Sequence, residues 1–141
     1  MMHLMPTPEE LLVRSRTVAV VGFSTDPDKP SHNAPMLMVE RGWTIIPVNP
    51  NAETVAGLRS YPTLADIPSD IHVDLVNVFR RSEQTPDVVR AAAAIGADAV
   101  WLQLGIRSAE SRAIAQEAGM DYVEDLCAGA LAKRRDLRPH D

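Results

Sequence analysis

Short apolar runs recur along the chain, each five to seven residues long and rich in Val, Ile and Leu. They cover residues 17–22, 44–48, 73–79 and 99–104, and a weaker fifth run covers 120–124. Their apolar character is nearly continuous rather than alternating, which is typical of strands buried on both faces of a sheet. The pattern therefore predicts about five strands in a parallel sheet with both faces covered.

Segments with helix-start and helix-stop signals lie between these runs. Ser or Thr caps, two of them followed by Pro, predict where the first four helices begin, and Gly predicts where three of them end. Strand–helix alternation of this kind predicts an α/β, Rossmann-like sheet with right-handed crossovers, helices on both faces and the strand order 3-2-1-4-5. The predicted helices cover about residues 8–15, 32–41, 85–95, 108–119 and 128–135.

Ligands of such sheets bind beyond the carboxyl ends of the strands, near the point where the strand order reverses. The loop after the first run, residues 22–31, offers a glycine for a close turn, several hydroxyls and one cation. Together with the N–H groups of the following helix, this combination suits an anion such as a phosphate. A long polar loop capped by serine is the equally open alternative. The candidate residues are Gly22, Phe23, Ser24, Thr25, Lys29 and Ser31.

The same loop lacks the fingerprint of dinucleotide-binding domains. Ser24 and Pro27 stand where the second and third glycines of G-x-G-x-x-G belong. The second strand ends in Val48-Asn49-Pro50, without the acidic residue that holds a ribose. Both features disfavour NAD, and the loop is not a P-loop either.

Later loops add further candidates at the same edge. Arg80 and Arg81 follow Phe79 at the end of the third strand and offer two guanidinium groups to an anion. The alternative is that they pair with surface carboxylates. Gln103 and Gly105 follow the fourth strand, whose Trp101 is expected in the core.

Composition narrows the range of functions. The chain has 141 residues and is 45% hydrophobic, which fits one domain over 1–141 with its core at about 10–135. Its net charge of −5 disfavours a general nucleic-acid binder. No apolar run reaches 18 residues, so we expect a cytoplasmic protein that does not enter a membrane. The single cysteine, Cys127, excludes an internal disulfide and a multi-cysteine metal site.

Catalytic signatures are absent from the sequence. No His, Cys or carboxylate pair has metal-ligand spacing, and no serine lies in a G-x-S-x-G motif. Of the four histidines only His32 lies near the candidate loops, where a solvated residue at a helix start is expected. We therefore predict no catalytic residue and no metal.

Six motifs in order resemble the small bacterial and archaeal CoA-binding proteins, which are stand-alone relatives of the CoA-binding domain of the succinyl-CoA synthetase alpha subunit. The resemblance covers about residues 10–135. The six motifs are Val21-Gly22-Phe23-Ser24, then Asp26-Pro27 together with Pro30-Ser31, Pro47-Val48-Asn49-Pro50, Tyr61 to Pro68, Phe79-Arg80-Arg81, and Trp101 to Gly105.

The resemblance implies a Rossmann-like domain that binds coenzyme A, or an acyl-CoA, without a reaction of its own. By position, residues 22–24 would approach the CoA phosphates, residues 48–50 would border the adenosine, and residues 79–81 would form the other wall. Many relatives carry Lys or Arg directly after Asn-Pro, where this chain has Asn51. Their Asp-Arg-Cys segment reads Asp125-Leu126-Cys127 here.

The leading hypothesis is a non-catalytic carrier, sensor or regulator that binds CoA, with no protein partner identified. One alternative is an NAD-binding oxidoreductase or redox sensor. Another is an accessory part of an acyl-CoA-handling enzyme, which is disfavoured because the ligases of this kind need a further domain. Cys127 follows the fifth strand, so it is expected either near the thiol of CoA, with which it could form a mixed disulfide, or buried as a small apolar residue.

Overall fold

Five parallel strands form one sheet in the computed structural model, which describes residues 5–140. Helices cover both faces of this sheet, and a small two-stranded hairpin follows its second strand. The α/β, Rossmann-like fold class is confirmed. In chain order the elements are α1 (Pro8–Arg14), β1 (Thr17–Val21), α2 (Pro30–Glu40), β2 (Thr44–Val48), β3 (Thr54–Val55), β4 (Leu58–Arg59), β5 (Leu75–Val78), α3 (Thr85–Ala94), β6 (Ala99–Leu102), α4 (Ala109–Glu117), β7 (Asp121–Val123) and α5 (Ala128–Arg134).

The strand order differs from the prediction. The sheet reads β2-β1-β5-β6-β7, which in the numbering of the five predicted strands is 2-1-3-4-5 rather than 3-2-1-4-5. β2 is therefore an edge strand, and Pro47 within it supplies the physical reason. Proline has no N–H to donate, so it is confined to positions where a neighbouring strand does not need that donor. The order reverses between β1 and β5, which places the expected ligand crevice there.

The two faces of the sheet bury different side chains of the same strand. In β1, Val18 and Val20 pack in a cluster with residues of α1, α2 and α5, whereas Ala19 and Val21 pack with residues of α3 and α4. Successive side chains of a strand point to opposite faces, so a strand covered on both sides must be apolar throughout. This confirms the reason given for the continuous apolar runs.

Two of the four predicted helix caps are confirmed and two are wrong. Thr85 is the first residue of α3 rather than its cap, and Gln84 takes the cap position. Thr7 and Glu10 form a capping box at α1, and the Ser108 hydroxyl accepts from the N–H of Ser111 at α4. The predicted cap at Ser31 is wrong, because α2 begins at Pro30 and the cap position is Lys29. Pro fits the first helical position, where its missing N–H is not needed. The helix therefore begins at Pro30, earlier in the chain than the predicted start at residue 32.

The hairpin of β3 and β4 is not predicted by the apolar pattern. Ala56 and Gly57 connect the two strands, and both have positive φ, 52° and 78°, as a two-residue hairpin turn with the twist of the strands requires. Beyond the hairpin, Tyr61 lies beside the outer rim of β2. Its N–H donates to the carbonyl of Pro47 at 3.1 Å, and its own carbonyl accepts from the N–H of Asn49 at 2.9 Å.

Between residues 5 and 140, no helix has the length and apolar character needed to cross a membrane.

Candidate functional site

Three of the predicted loops meet at the carboxyl edge of the sheet. The N–H of Gly22 donates to the carbonyl of Val48 at 3.0 Å, and the Asn49 side-chain amide donates to the carbonyl of Phe23 at 3.0 Å. These contacts join the loop after β1 to the end of β2. On the other side, the N–H of Phe79 donates to the carbonyl of Val21 at 2.8 Å. The fold thus brings together the loops that the sequence singles out.

Gly22 is required at this edge for a reason that the sequence does not reveal. Its φ is +87°, and a Cβ added to it would lie 2.4 Å from the carbonyl oxygen of Phe79. A left-handed backbone and a close backbone neighbour each favour glycine. The backbone of the neighbouring strand, rather than a ligand, occupies the space that a side chain would need.

The loop of residues 22–31 is ordered by its own hydrogen bonds. The Ser24 hydroxyl accepts from the N–H of Asp26 at 3.0 Å, and the N–H of Ser24 donates to the carbonyl of Ser31 at 3.1 Å. His32 is half-buried rather than solvated, and its Nδ1 donates to the Ser24 carbonyl at 2.7 Å. Thr25 and Lys29 remain exposed. Their side chains are therefore the groups of this loop that can reach a ligand.

A slot of about 210 Å³ opens between the ends of β1 and β2 and the first turns of α3. Most of its lining is apolar, and the guanidinium-bearing Arg80 and the carboxylate-bearing Asp87 lie at its rim. Asp87 pairs with Arg90 at 3.0 Å. The lining residues are Val21, Val48, Pro62, Thr63, Leu64, Arg80, Asp87, Val88 and Ala91.

Arg80 and Arg81 carry charges that nothing in the described part of the chain neutralises. Arg80 is half-buried and Arg81 is exposed. Neither guanidinium forms a hydrogen bond or an ion pair with any residue between 5 and 140, and the same holds for the Lys29 ammonium. The alternative in which the two arginines pair with surface carboxylates is therefore wrong. Two unpaired guanidinium groups beside an apolar slot suit a ligand that combines a flat apolar group with phosphates.

Two predicted site residues place their side chains in the protein interior. Phe23 is 0% exposed, and its ring packs edge-on against His32. Gln103 is 3% exposed, and its amide donates to the side-chain oxygen of Asn77 on β5. Both residues follow strands as the sequence predicts, but each is buried as a whole, backbone included.

The loops after β6 and β7 are tied to each other. Asp125 accepts from the N–H of Gly105 at 2.7 Å and from the Arg107 Nε at 2.9 Å. The hydrogen bond from Gly105, and then the Arg107 guanidinium, hold the pKa of Asp125 below its usual value. The Gly105 N–H and the Arg107 charge are thus already engaged. This side of the edge offers a ligand less than the Arg80 side does.

Cys127 lies at the N-terminus of α5 and is half-buried. Its sulfur accepts from the N–H of Ala130 at 3.5 Å. Two residues later, a Cβ on Gly129 would lie 2.2 Å from the carbonyl oxygen of Ala34 in α2, so α5 packs tightly on α2. The thiol therefore lies on the α2 and α5 side of the sheet, whereas the slot lies on the α3 side.

The amino edge of the sheet holds a larger cavity, of about 540 Å³, with charged residues around it. Arg14 pairs with Asp121, and His72 pairs with Asp98 at 2.9 Å and with Asp74 at 3.6 Å. The hydrogen bond to Asp98 raises the pKa of His72 despite partial desolvation. Ligand atoms of His72, Asp74 and Asp98 lie within 4.8 Å of one another, a grouping that sequence spacing does not reveal. These groups already neutralise one another.

Residues 16–133 match the family described as CoA binding domain. An uncharacterized protein of Bacillus subtilis, YneT, is 40% identical over 119 residues, which are 84% of this chain and 87% of that protein. A hypothetical protein from Pyrococcus horikoshii has a solved structure with a TM-score of 0.84 and 30% identity, covering 95% of this chain and 98% of that one.

A longer enzyme is also similar to part of the chain. The ADP-forming acetate–CoA ligase II of Archaeoglobus fulgidus is 35% identical over 65 residues, which are 45% of this chain but 10% of the ligase. The family match spans most of the chain, including the loops after β1, β2 and β5. The chain therefore belongs to the CoA-binding domain family.

Proposed function

We propose that the protein binds coenzyme A or an acyl-CoA at the carboxyl edge of the sheet and acts as a non-catalytic carrier, sensor or regulator. The observation that carries this proposal is Arg80, a half-buried residue at the rim of the apolar slot whose guanidinium has no partner among residues 5–140. A cation that is partly desolvated and lacks a partner gains most when an anion arrives. Family membership supplies the identity of that anion.

The residues present fit the chemical parts of CoA. The faces of the adenine ring are flat and apolar, and the slot between Val21, Val48 and Val88 offers them a matching surface. The diphosphate needs cations and N–H donors. Lys29, in the loop after β1, and Arg80 and Arg81, after β5, can supply them. Of the predicted walls at residues 48–50 and 79–81, Val48 and Arg80 line this slot. The contacts of both walls with CoA are part of the proposal.

The state of the nucleophiles and bases at this edge supports a non-catalytic role. The Ser24 hydroxyl and the His32 Nδ1 are both engaged with the backbone of the 22–31 loop. Among residues 5–140, neither is hydrogen-bonded to a second side chain that would activate it, as nucleophilic catalysis requires. The match to the ligase covers 10% of that enzyme, so we assign no ligase activity to this chain.

The NAD-binding alternative is disfavoured by the end of β2. An NAD site places an acidic side chain there for the ribose, whereas this chain has Asn49. Its amide is also already used, because its nitrogen donates to Phe23 and its oxygen accepts from the N–H of Asn51 at 2.9 Å.

Calorimetric titration with CoA, acetyl-CoA and NAD tests the proposal. We expect CoA to bind, and its affinity to fall as salt rises, because part of the binding is charge pairing. We expect NAD to bind more weakly than CoA or not at all. Tighter binding of NAD than of CoA would show that the proposal is wrong. Native mass spectrometry of the freshly purified protein gives an independent readout, since a co-purified ligand is identified by its mass.

A further inference from the structure

A second cavity of about 780 Å³ lies next to the slot and shares Pro62 with it. It opens between the end of β2 and the hairpin of β3 and β4. Most of its lining residues are small or polar, and its charged members are Glu53 and Arg59. The lining residues are Pro50, Asn51, Ala52, Glu53, Thr54, Gly57, Arg59, Ser60 and Pro62.

The hairpin holds Arg59 on the side of this cavity. Thr54 and Arg59 are paired across the hairpin, as are Val55 and Leu58. Val55 is 1% exposed in the core, and Leu58 packs against the same cluster. Since side chains alternate along a strand, anchoring Val55 and Leu58 inward turns Thr54 and Arg59 outward.

The Arg59 guanidinium lies over an aromatic ring and lacks an acidic partner. Its central carbon is 5.3 Å from the centroid of the Tyr61 ring. It forms no hydrogen bond or ion pair with the residues at positions 5–140, and Glu53, which lines the same cavity, is not paired with it. Stacking on Tyr61 restricts the side chain while all of its N–H donors stay available. Arg59 is thus an exposed cation that lies against an aromatic ring and lines a concave surface.

We infer that this cavity receives the 3′-phosphate of bound CoA and that Arg59 is the residue that recognises it. The inference rests on the proposed function. CoA carries phosphates on two sides of its ribose, the diphosphate at the 5′ position and a separate phosphate at the 3′ position. With adenine in the slot and the diphosphate at the 22–31 loop, the ribose lies at the end of β2. The 3′-phosphate then faces the hairpin, where Arg59 can bind it with two parallel N–H donors.

The simpler alternative is that Arg59 is a solvated cation that covers Tyr61 and touches no ligand. The two readings differ in one measurable property. A 3′-phosphate contact makes the effect of Arg59 depend on whether the ligand carries that phosphate, whereas a solvated cation affects CoA and dephospho-CoA equally.

The test compares CoA and dephospho-CoA as ligands of the wild-type protein and of Arg59→Gln by calorimetric titration. We expect the wild-type protein to prefer CoA about tenfold, as loss of one charge-assisted contact predicts. Arg59→Gln should lower CoA affinity by about that factor and change dephospho-CoA affinity less than about twofold. Equal affinity of the wild-type protein for the two ligands, or an equal change for both in the variant, would overturn the inference.

Arg134→Gln is the matched control. Arg134 is exposed at the end of α5, and within residues 5–140 its guanidinium also has no hydrogen-bond or ion-pair partner. The Arg134→Gln substitution removes one positive charge, as Arg59→Gln does, but leaves the cavity unchanged. The affinities for CoA and for dephospho-CoA should therefore stay at the wild-type values. The thermal transition of each variant without ligand verifies folding. Binding of neither ligand to the wild-type protein would refute the proposed function itself, whereas binding of both with equal affinity would refute only the role of Arg59.

Discussion

The two edges of the sheet differ in what their charged side chains do. At the amino edge, Arg14 pairs with Asp121 and His72 pairs with Asp98. At the carboxyl edge, Arg80 and its neighbour Arg81 have no acidic partner in the described part of the chain. The amino-edge cavity is about 540 Å³, whereas the carboxyl edge has the slot of about 210 Å³ and the neighbouring cavity of about 780 Å³. Cavity size alone therefore does not decide between the edges, and we take unpaired charge as the guide.

Physical chemistry supports that choice. A cation that is half-buried loses part of its hydration, and without a partner it recovers little of that loss. Arg80 is such a group, so an arriving anion gains a contact that the fold does not already supply. The Arg14 guanidinium is satisfied within the protein. The same residue type therefore serves ligand binding at one edge and stability at the other.

The largest expected difference between the edges is in the free energy of unfolding lost when a glycine of positive φ is replaced. Gly22 lies at the carboxyl edge, and its added Cβ would lie 2.4 Å from Phe79 backbone, whereas Gly96 beside the amino-edge cavity has no atom within 4 Å of that position. Gly22→Ala should lower the free energy of unfolding by about 3 kcal/mol or more, because strain and overlap add. Gly96→Ala should cost about 1 kcal/mol from backbone strain alone. Urea denaturation measures both, and equal losses would show that the close approach at Gly22 is tolerated.

The next largest effects distinguish two arginines, Arg80 at the carboxyl edge and Arg14 at the amino edge. Arg80→Ala should weaken CoA binding by about 1.5–3 kcal/mol, or about ten- to a hundredfold, and leave the thermal transition unchanged. Arg14→Ala should lower stability by about 1 kcal/mol or less, since its ion pair is partly exposed, and leave CoA affinity unchanged. Titration and thermal melting of both variants provide the check. Normal CoA affinity in both Arg80→Ala and Arg81→Ala would remove the proposed arginine wall.

The apolar runs predict where the strands lie along the chain. They do not predict the order of the strands in the sheet, which depends on a single proline within the second run. Pro47 marks β2 as an edge strand, and this signal separates the order 2-1-3-4-5 from 3-2-1-4-5. The hairpin of residues 54–59 escapes prediction because each strand has only two residues. Its turn also begins with Ala56, a residue type that rarely adopts positive φ.

Site residues are predictable by their position in the chain but not by their burial. Sequence order places Phe23, Gln103 and Arg80 after strands, hence at one edge. Tertiary packing decides that Phe23 and Gln103 turn inward and that Arg80 stays unpaired. Arg59 escapes prediction for the same reason, since only the folded hairpin brings it beside the end of β2.

A smaller, pH-dependent effect on the free energy of unfolding is expected at the amino edge. The pKa of His72 is raised, first of all by its hydrogen bond to Asp98. A group with a raised pKa contributes stability that is fully present below its unfolded value of 6.5 and is lost as pH rises through the folded value. His72→Gln should therefore lower stability at pH 5.5 by less than about 1 kcal/mol, since the group is exposed, and have no effect at pH 8.5. A larger loss at pH 8.5 than at pH 5.5 would contradict this pairing.

The smallest expected effect on reversible binding concerns Cys127. Its thiol is half-buried on the other face of the sheet from the slot, so Cys127→Ser should change CoA affinity less than about twofold.

The Cys127 sulfur can still attack CoA disulfide, forming a mixed disulfide and releasing one CoA thiol. Mass spectrometry after incubation with CoA disulfide should show one added CoA, reversed by reductant and absent in Cys127→Ser. An unmodified wild-type mass would refute the prediction of a reactive thiol.

The most direct test of the difference between the two edges is a ¹H–¹⁵N NMR titration of the protein with CoA. Unpaired cations at the carboxyl edge predict that the largest shift changes fall in residues 22–31, 49–61 and 79–81. The amides around His72, Asp98 and Asp121 should change little. Shift changes concentrated around His72, Asp98 and Asp121 instead, with the 22–31 and 79–81 loops unaffected, would contradict the assignment of the ligand to the carboxyl edge.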